Sequence, residues 1–337
     1  MNKEQAYQNM LQPSQELIND ILKIEGDIIL LGAGGKMGPD MARLTKKAID
    51  LAGINKKVTA VSRFSEESLE KELNVAGIQT IKADLLNEND VQNLPDTQNV
   101  IFLAGHKFGT TGNEPYTWVM NTYLPGRIAN KYKNSRIVVF SSGNIYPFSP
   151  IEMGGVTEDV SPSPIGEYAQ SCLGRERIFQ YFASKNNTPL LIYRLNYAND
   201  VTYGVLLEIA KSVFLGKSID LSMGNVNVIW QADANEIALR SLLHCSVPTK
   251  ILNVTGPETI SVRWVASKFG EILKKEPVFN NIEQPKALLS NAAECFKLFG
   301  YPRVSLNQMI ELIAKWVIEG GKTNNKPTHF QEREGKF

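Results

Sequence analysis

Asp27-Ile28-Ile29-Leu30-Leu31-Gly32-Ala33-Gly34-Gly35-Lys36-Met37-Gly38 is the stretch on which the fold turns. Residues 27–31 are a short apolar run that ends in glycines, as a buried strand does. Residues 37–52 then read as a helix closed by Gly53. The turn between them carries Gly-x-x-Gly-x-x-Gly at positions 32, 35 and 38. Small residues let the backbone approach a pyrophosphate, and the helix N-terminus adds free N–H groups and partial positive charge. A glycine triplet alone also serves any tight turn. The strand before it and the helix after it favour nucleotide binding, with Gly32, Gly35, Lys36, Met37 and Gly38 as contact residues.

Further apolar runs lie at 58–61, 80–82, 99–103, 136–140 and 190–194, with helical segments between most of them. Such alternation, with strands apolar throughout, indicates an α/β fold whose parallel sheet is covered on both faces. Leu17, Ile18, Ile21 and Leu22 predict a helix over 15–24, covering the sheet edge or packing on a partner subunit. Residues 320–337, rich in Gly, Lys, Asn and Glu, read as a mobile end or an arm on a neighbouring subunit. At the end of the second strand an acid would bond a ribose 2′-hydroxyl and suit NAD. Ser62-Arg63 stands there instead and suits a 2′-phosphate, so NADP is favoured, with NAD as the alternative. Asp84 after the third strand either accepts from the adenine amino group or N-caps the next helix.

The 337 residues are 43% hydrophobic, enough for one large domain or two smaller ones with a substantial core. Lysine and arginine number 36 against 35 acids, so neither nucleic acid nor an anionic membrane is expected as partner. Three distant cysteines and three scattered histidines have no metal-type spacing, and the cysteines suggest free thiols in a reducing compartment. No metal is expected. A polar, acid-bearing N-terminus is unlike a signal peptide, and no apolar run approaches a membrane span. A soluble, cytoplasmic protein is the expectation.

Motifs from Gly26 to Val317 resemble, in order, the extended short-chain dehydrogenase/reductase family, also called the NAD-dependent epimerase/dehydratase family. They are 32–38, Asp84-Leu85, Phe102-Leu103-Ala104-Gly105, Asn121, Ser141-Ser142 through Tyr146, Tyr168, Arg194-Leu195-Asn196, 230–233, 253–256 and 306–316. The resemblance implies a Rossmann-type doubly wound parallel sheet with a smaller C-terminal α/β substrate domain. The expected division is a helical extension at 1–25, a nucleotide-binding domain at 26–197 with 229–252 returning to it, a substrate domain at 198–228 and 253–318, and a tail at 319–337. The resemblance extends cofactor binding to Asp84, Leu85, Leu103, Ala104, Gly105, Asn121, Tyr168, Cys172 and Asn196. It makes Ser142 the group that bonds the substrate oxygen and Tyr168 the proton carrier during hydride transfer to or from a nicotinamide. The substrate it implies is a small carbohydrate-like molecule: a sugar, sugar acid or nucleotide-sugar. Homodimers are common in the family.

The chain departs from the family at Cys172, where a lysine usually bonds the nicotinamide ribose and lowers the tyrosine pKa. A free tyrosine has a pKa of about 10 and is a poor base at neutral pH. A neutral thiol does not favour the phenolate as a cation would. Lys107, just after the fourth strand, and Arg175, seven residues past Tyr168 on the same helix face, are the candidate substitutes. His106, Asn144 and Tyr197 flank matched motifs and are candidates for the substrate pocket, with the polar loop 110–116 as a cover. The reading is an NAD(P)-dependent oxidoreductase or epimerase/dehydratase acting on a hydroxyl-bearing carbon. The alternative is a cofactor-binding sensor or scaffold that has lost catalysis.

Overall fold

The six apolar runs and a seventh strand that the sequence reading did not name pair side by side, all parallel. In chain order they are β1 (Ile28–Leu31), β2 (Val58–Ser62), β3 (Gln79–Lys82), β4 (Asn99–Phe102), β5 (Arg136–Ser142), β6 (Leu190–Leu195) and β7 (Lys250–Val254). Across the sheet the order is β7-β6-β5-β4-β1-β2-β3. This doubly wound arrangement reverses direction between β1 and β4, and such folds bind ligands beyond the carboxyl ends of the strands at that point. The computed structural model describes residues 3–107, 109–324 and 326–336; Met1, Asn2, Phe108, Asn325 and Phe337 lie outside them.

Strand side chains alternate between faces, and β1 divides its four apolar residues accordingly. Ile28 and Leu30 join one buried cluster, Ile29 and Leu31 the other. The helices are α1 (Lys3–Met10), α2 (Gln15–Lys23), α3 (Gly38–Leu51), α4 (Glu67–Val75), α5 (Glu88–Asn93), α6 (Glu114–Trp118), α7 (Leu124–Lys131), α8 (Gly166–Asn186), α9 (Val205–Leu215), α10 (Gln231–Arg240), α11 (Val262–Leu273), α12 (Ala293–Phe299) and α13 (Leu306–Ile318). The first cluster is covered by α2, α3 and α10, the second by α5, α7 and α8. A third cluster lies outside the sheet, where α9, α11 and α13 pack around Trp230. Among the described residues no helix is long and apolar enough to cross a membrane.

Three features differ from the sequence reading. The N-terminal extension is two helices, both packed on their own chain. On α2, Leu17 and Ile21 are fully buried against the α3 side of the sheet. On α1, Tyr7 meets the Trp230 ring edge-on at 6.3 Å and tilts against Trp316 at 5.8 Å. The described part of the C-terminal segment also folds onto this chain: Phe330 is buried and Thr328 bonds Glu208. The sheet strand β7 runs across the 252/253 division.

Ile21→Ala should lower unfolding free energy by about 2–5 kcal/mol, because it empties a core site that is fully closed. A chemical denaturation curve measures this. A loss below about 0.5 kcal/mol, typical of a surface position, would show that α2 is not part of the sheet's core.

Candidate active site

A cavity of about 250 Å³ opens at the carboxyl ends of β1, β4, β5 and β6. The glycine loop contributes Gly32, Gly35, Lys36, Met37 and Gly38. Leu103 and Lys107 come from the segment after β4, Ser142 and Asn144 from the end of β5 and beyond, Tyr168 from α8, and Asn196 and Tyr197 from the turn after β6. Twelve sequence-predicted residues thus share one space. His106, Ser62, Arg63, Asp84, Leu85, Ala104, Gly105, Asn121 and Cys172 do not line it.

The loop has the form an anionic dinucleotide needs. Gly32 has φ +92°, and a Cβ on it would sit 2.6 Å from the Ala104 backbone nitrogen. Gly38 backs onto Ala33, where a Cβ would meet the carbonyl oxygen at 2.4 Å. Gly35 by contrast has nothing nearer than 3.4 Å. The N-cap of α3, Met37, makes no side-chain cap bond, which leaves the helix N-terminus available to a phosphate. Lys36 stands beside it. Its Nζ donates to the Ala198 carbonyl at 2.9 Å and lies 3.7 Å above the Tyr203 ring. Burial lowers its pKa to about 7; Asp200 opposes the shift and Lys107 adds to it.

Tyr168 begins the long helix α8, and its phenol is in hydrogen-bonding reach of Ser142 and Cys172. Burial raises its pKa well above the ordinary value and the Cys172 thiol adds to this, while Arg175 and Ser142 act in the other direction. Cys172, one turn on, is fully buried beside Ile145, Tyr146 and Val156. Burial raises its pKa too, so it remains a neutral thiol at neutral pH. Ser142 Oγ also accepts from the Asn144 N–H at 3.2 Å, capping the short turn Gly143–Ile145. Lys107 Nζ lies 5.5 Å from the centre of the Tyr168 ring. Desolvation lowers its pKa to about 8, opposed by Cys172 and Glu208.

Arg175 is beneath the cavity. Its guanidinium donates to the Phe140 carbonyl at 2.8 Å and to Asn121 Oδ1 at 2.5 Å, while its Nε is buried without a partner. Asn121 grips the backbone of His106 at both N–H and C=O, 2.8 Å each. The His106 ring turns away, bonding the Thr117 hydroxyl at 2.9 Å and meeting Tyr116 edge-on. The loop 110–116 is tied to this same cluster, since Thr110 Oγ1 donates to the Lys107 carbonyl at 2.8 Å. Ser62 accepts from the Phe64 N–H at 3.3 Å and Arg63 is exposed. Asp84 caps its own turn at the Leu86 N–H, and Asn87, not Asp84, is the N-cap of α5. Leu85 is buried in the core.

Sequence reasoning missed Tyr203, Gly204 and Thr328 in the lining. Gly204 precedes the apolar run of α9 and could have been read as its N-cap. Nothing in the polar tail marks Thr328. Among the described residues no cluster of His, Cys, Asp or Glu could hold a metal ion.

The sequence profile of the NAD dependent epimerase/dehydratase family matches residues 28–198. No curated protein matches the chain. Among solved structures, a UDP-glucuronic acid 4-epimerase from Bacillus cereus in complex with UDP-glucuronic acid and NAD is 17% identical. That match covers 87% of this chain and 99% of the other, with a TM-score of 0.72. A UDP-Glc/GlcNAc 4-epimerase from Campylobacter jejuni is 16% identical over 88% of this chain and 99% of its own, with a TM-score of 0.71. A UDP-glucose 4-epimerase from Thermotoga maritima with UDP-glucose is 15% identical over 87% and 99%, with a TM-score of 0.69.

Because Lys107 is desolvated, its cation should be present below about pH 8 and lost above it. Carbon-13 NMR of the lysine side chains, with Lys107→Arg to assign the signal, would show a midpoint near 8 against about 10.4 for surface lysines. A midpoint above 10 would place the amine in water.

Proposed function

The chain belongs to the NAD dependent epimerase/dehydratase family, and on that premise we propose that it moves hydrogen at a hydroxyl-bearing carbon of a carbohydrate-like substrate. The observation that carries this reading is the meeting of Tyr168, Ser142 and Lys107 in the cavity beside the glycine loop. A bound nicotinamide would accept or return the hydride. Gly32, Gly35, Lys36, Met37 and Gly38 hold its pyrophosphate, and Lys36 adds positive charge in its protonated form, favoured below about pH 7.

Tyr168 carries the proton. Its raised pKa keeps it a phenol, ready to donate to a developing alkoxide. Abstraction in the reverse direction needs a nearby cation, and Lys107 fills that role in place of the family's lysine at position 172. Ser142 hydrogen-bonds the substrate oxygen. Arg175 and Asn121 hold the strand end and the segment that carries Lys107. NADP is the preferred cofactor, with Arg63 on the 2′-phosphate; exposure of Arg63 and the local bond of Ser62 leave the guanidinium as the ligand. A homodimer belongs to the same proposal, supported by exposed Tyr181 on α8 and exposed Tyr123 in the turn before α7.

Tyr168→Phe should reduce NAD(P)-linked turnover by about 10²–10⁴-fold. Lys107→Met should lower the rate of proton abstraction below about pH 8, where the Lys107 cation is present, and leave it unchanged above that pH, as read in the pH–rate profile. Wild type with no turnover, joined to gain of turnover in Cys172→Lys, would favour the silent-sensor reading that the neutral thiol also supports. For the cofactor, Arg63→Ala should weaken NADP binding by roughly 10- to 100-fold and leave NAD unchanged, read by fluorescence titration. Equal loss for both cofactors would remove the 2′-phosphate assignment.

A further inference from the structure

The C-terminal segment runs as a strap across the mouth of the cavity. Asn324 starts it, donating its N–H to the Thr202 carbonyl at 2.9 Å and its amide to Thr202 Oγ1 at 3.2 Å. Thr328 then lines the cavity itself. Its N–H donates to Glu208 Oε2 at 2.9 Å, and its hydroxyl bonds the same carboxylate. Beyond it, buried Phe330 accepts at its carbonyl from the Tyr197 hydroxyl, 3.3 Å. Arg333 donates to the carbonyls of Ser222 at 3.1 Å and Lys286 at 2.9 Å, and lies 4.3 Å over the Phe148 ring. Gly335 ends on Gly166, two residues before Tyr168. A Cβ on Gly166 would come within 2.3 Å of the Gly335 carbonyl oxygen. The strap thus joins α9, the substrate side and the start of α8.

A second cavity, of about 260 Å³, lies on the far side of this segment. Lys211, Lys217, Lys326 and Pro327 line it, and it shares Tyr203 and Gly204 with the first. Lys326, Pro327 and Thr328, backed by Tyr203, are therefore a partition between two adjoining spaces. Pockets for drug-sized ligands run roughly 300–1,000 Å³. The inner space, at about 250 Å³, is below that range before any nicotinamide enters it.

We propose that residues 326–335 divide one longer groove, and that this partition restricts the reaction to a compact substrate, a free sugar or sugar acid, and excludes a nucleoside-diphosphate sugar. The inference rests on the proposed reaction at Tyr168 for its substrate class. Thr328 and Glu208 are its specificity-determining pair: Thr328 forms the wall and Glu208 latches it from α9. With the latch released, the inner and outer spaces join. The amines of Lys211 and Lys217 then lie along the groove, where a diphosphate would pass.

Isothermal titration of the NADP-loaded protein with UDP-glucuronic acid and with UDP-glucose tests this without requiring turnover. The full-length chain should bind neither below millimolar concentration. The chain ended after Gly321, and independently the double variant Glu208→Ala/Thr328→Gly, should each gain at least about ten-fold in affinity for one of them. Thermal melts and NADP titration check that both variants remain folded, and the double variant decides if the shortened chain is not. Full-length protein that binds a UDP-sugar as tightly as the released variants overturns the proposal. Released variants that are folded and still bind none overturn it as well, because something other than the strap then excludes the nucleotide. Failure of the Tyr168 chemistry is read separately, in turnover, and leaves these titrations unaffected.

Discussion

One buried ion pair locates the helix on which the candidate chemistry stands. Glu176 on α8 and Arg194 on β6 are 0% and 1% exposed, and they meet through two bonds of 3.0 and 2.7 Å. Ser141 at the end of β5 donates to Glu176 at 2.5 Å. Arg194 also donates to the Tyr146 hydroxyl at 2.5 Å, which donates in turn to Asn253 of β7 at 2.8 Å. Asn253 completes the chain at the carbonyls of Val156 and Asn291. Desolvating two charges costs several kcal/mol each, so a dry pair alone contributes little stability. A fully bonded network does something else: it permits one arrangement of the groups it joins. Here it sets α8 against β5, β6 and β7, and so sets where Tyr168, two turns before Glu176, meets Ser142 and the cavity.

A second set of contacts, made from the adjacent residue of α8, holds the segment after β4. Asn121 lies in a π-helical turn, Val119–Tyr123, and closes on the His106 backbone from both sides. Arg175 fills the space beside Gly105, where any Cβ would come within 2.4 Å of its guanidinium. The Arg175 guanidinium is bonded to Phe140 and Asn121, and its charge also opposes the rise in the Tyr168 pKa. Lys107 is what remains inside the cavity near the tyrosine ring. On the proposed reading, the cation that the family keeps on the helix has moved to the opposite wall, and Cys172 fills the vacated helix position as a small apolar group.

The sheet was legible because strand identity is a local property. Four-residue apolar runs such as 28–31, bounded by glycine or charge, can only be buried, and their alternation with helices leaves few topologies. The glycine loop was legible for the same reason. Its conformation is dictated by residues adjacent in the chain. Tyr168 and Ser142 were legible through the order of the motifs around them, and Lys107 was one of two candidate cations, beside Arg175, for the same group. The orientation of His106 was not, because it depends on Thr117 and Tyr116, ten or so residues away, competing with the cavity for the ring.

The sequence by itself determined the parallel α/β sheet, the nucleotide-type turn after β1 and the departure at Cys172. Each follows from apolar period, glycine placement or residue identity within a short window. Tertiary structure alone decided that Arg175 braces the floor while Lys107 enters the cavity, that the N-terminal helices belong to the core, and that Thr328 reaches the site. Those outcomes depend on contacts between residues 35 to 309 positions apart, where burial and pairing, not local propensity, select the arrangement. A polar tail has no period to reveal its path. Its place is set by Glu208, Tyr197 and Gly166, which converge only once the chain has folded.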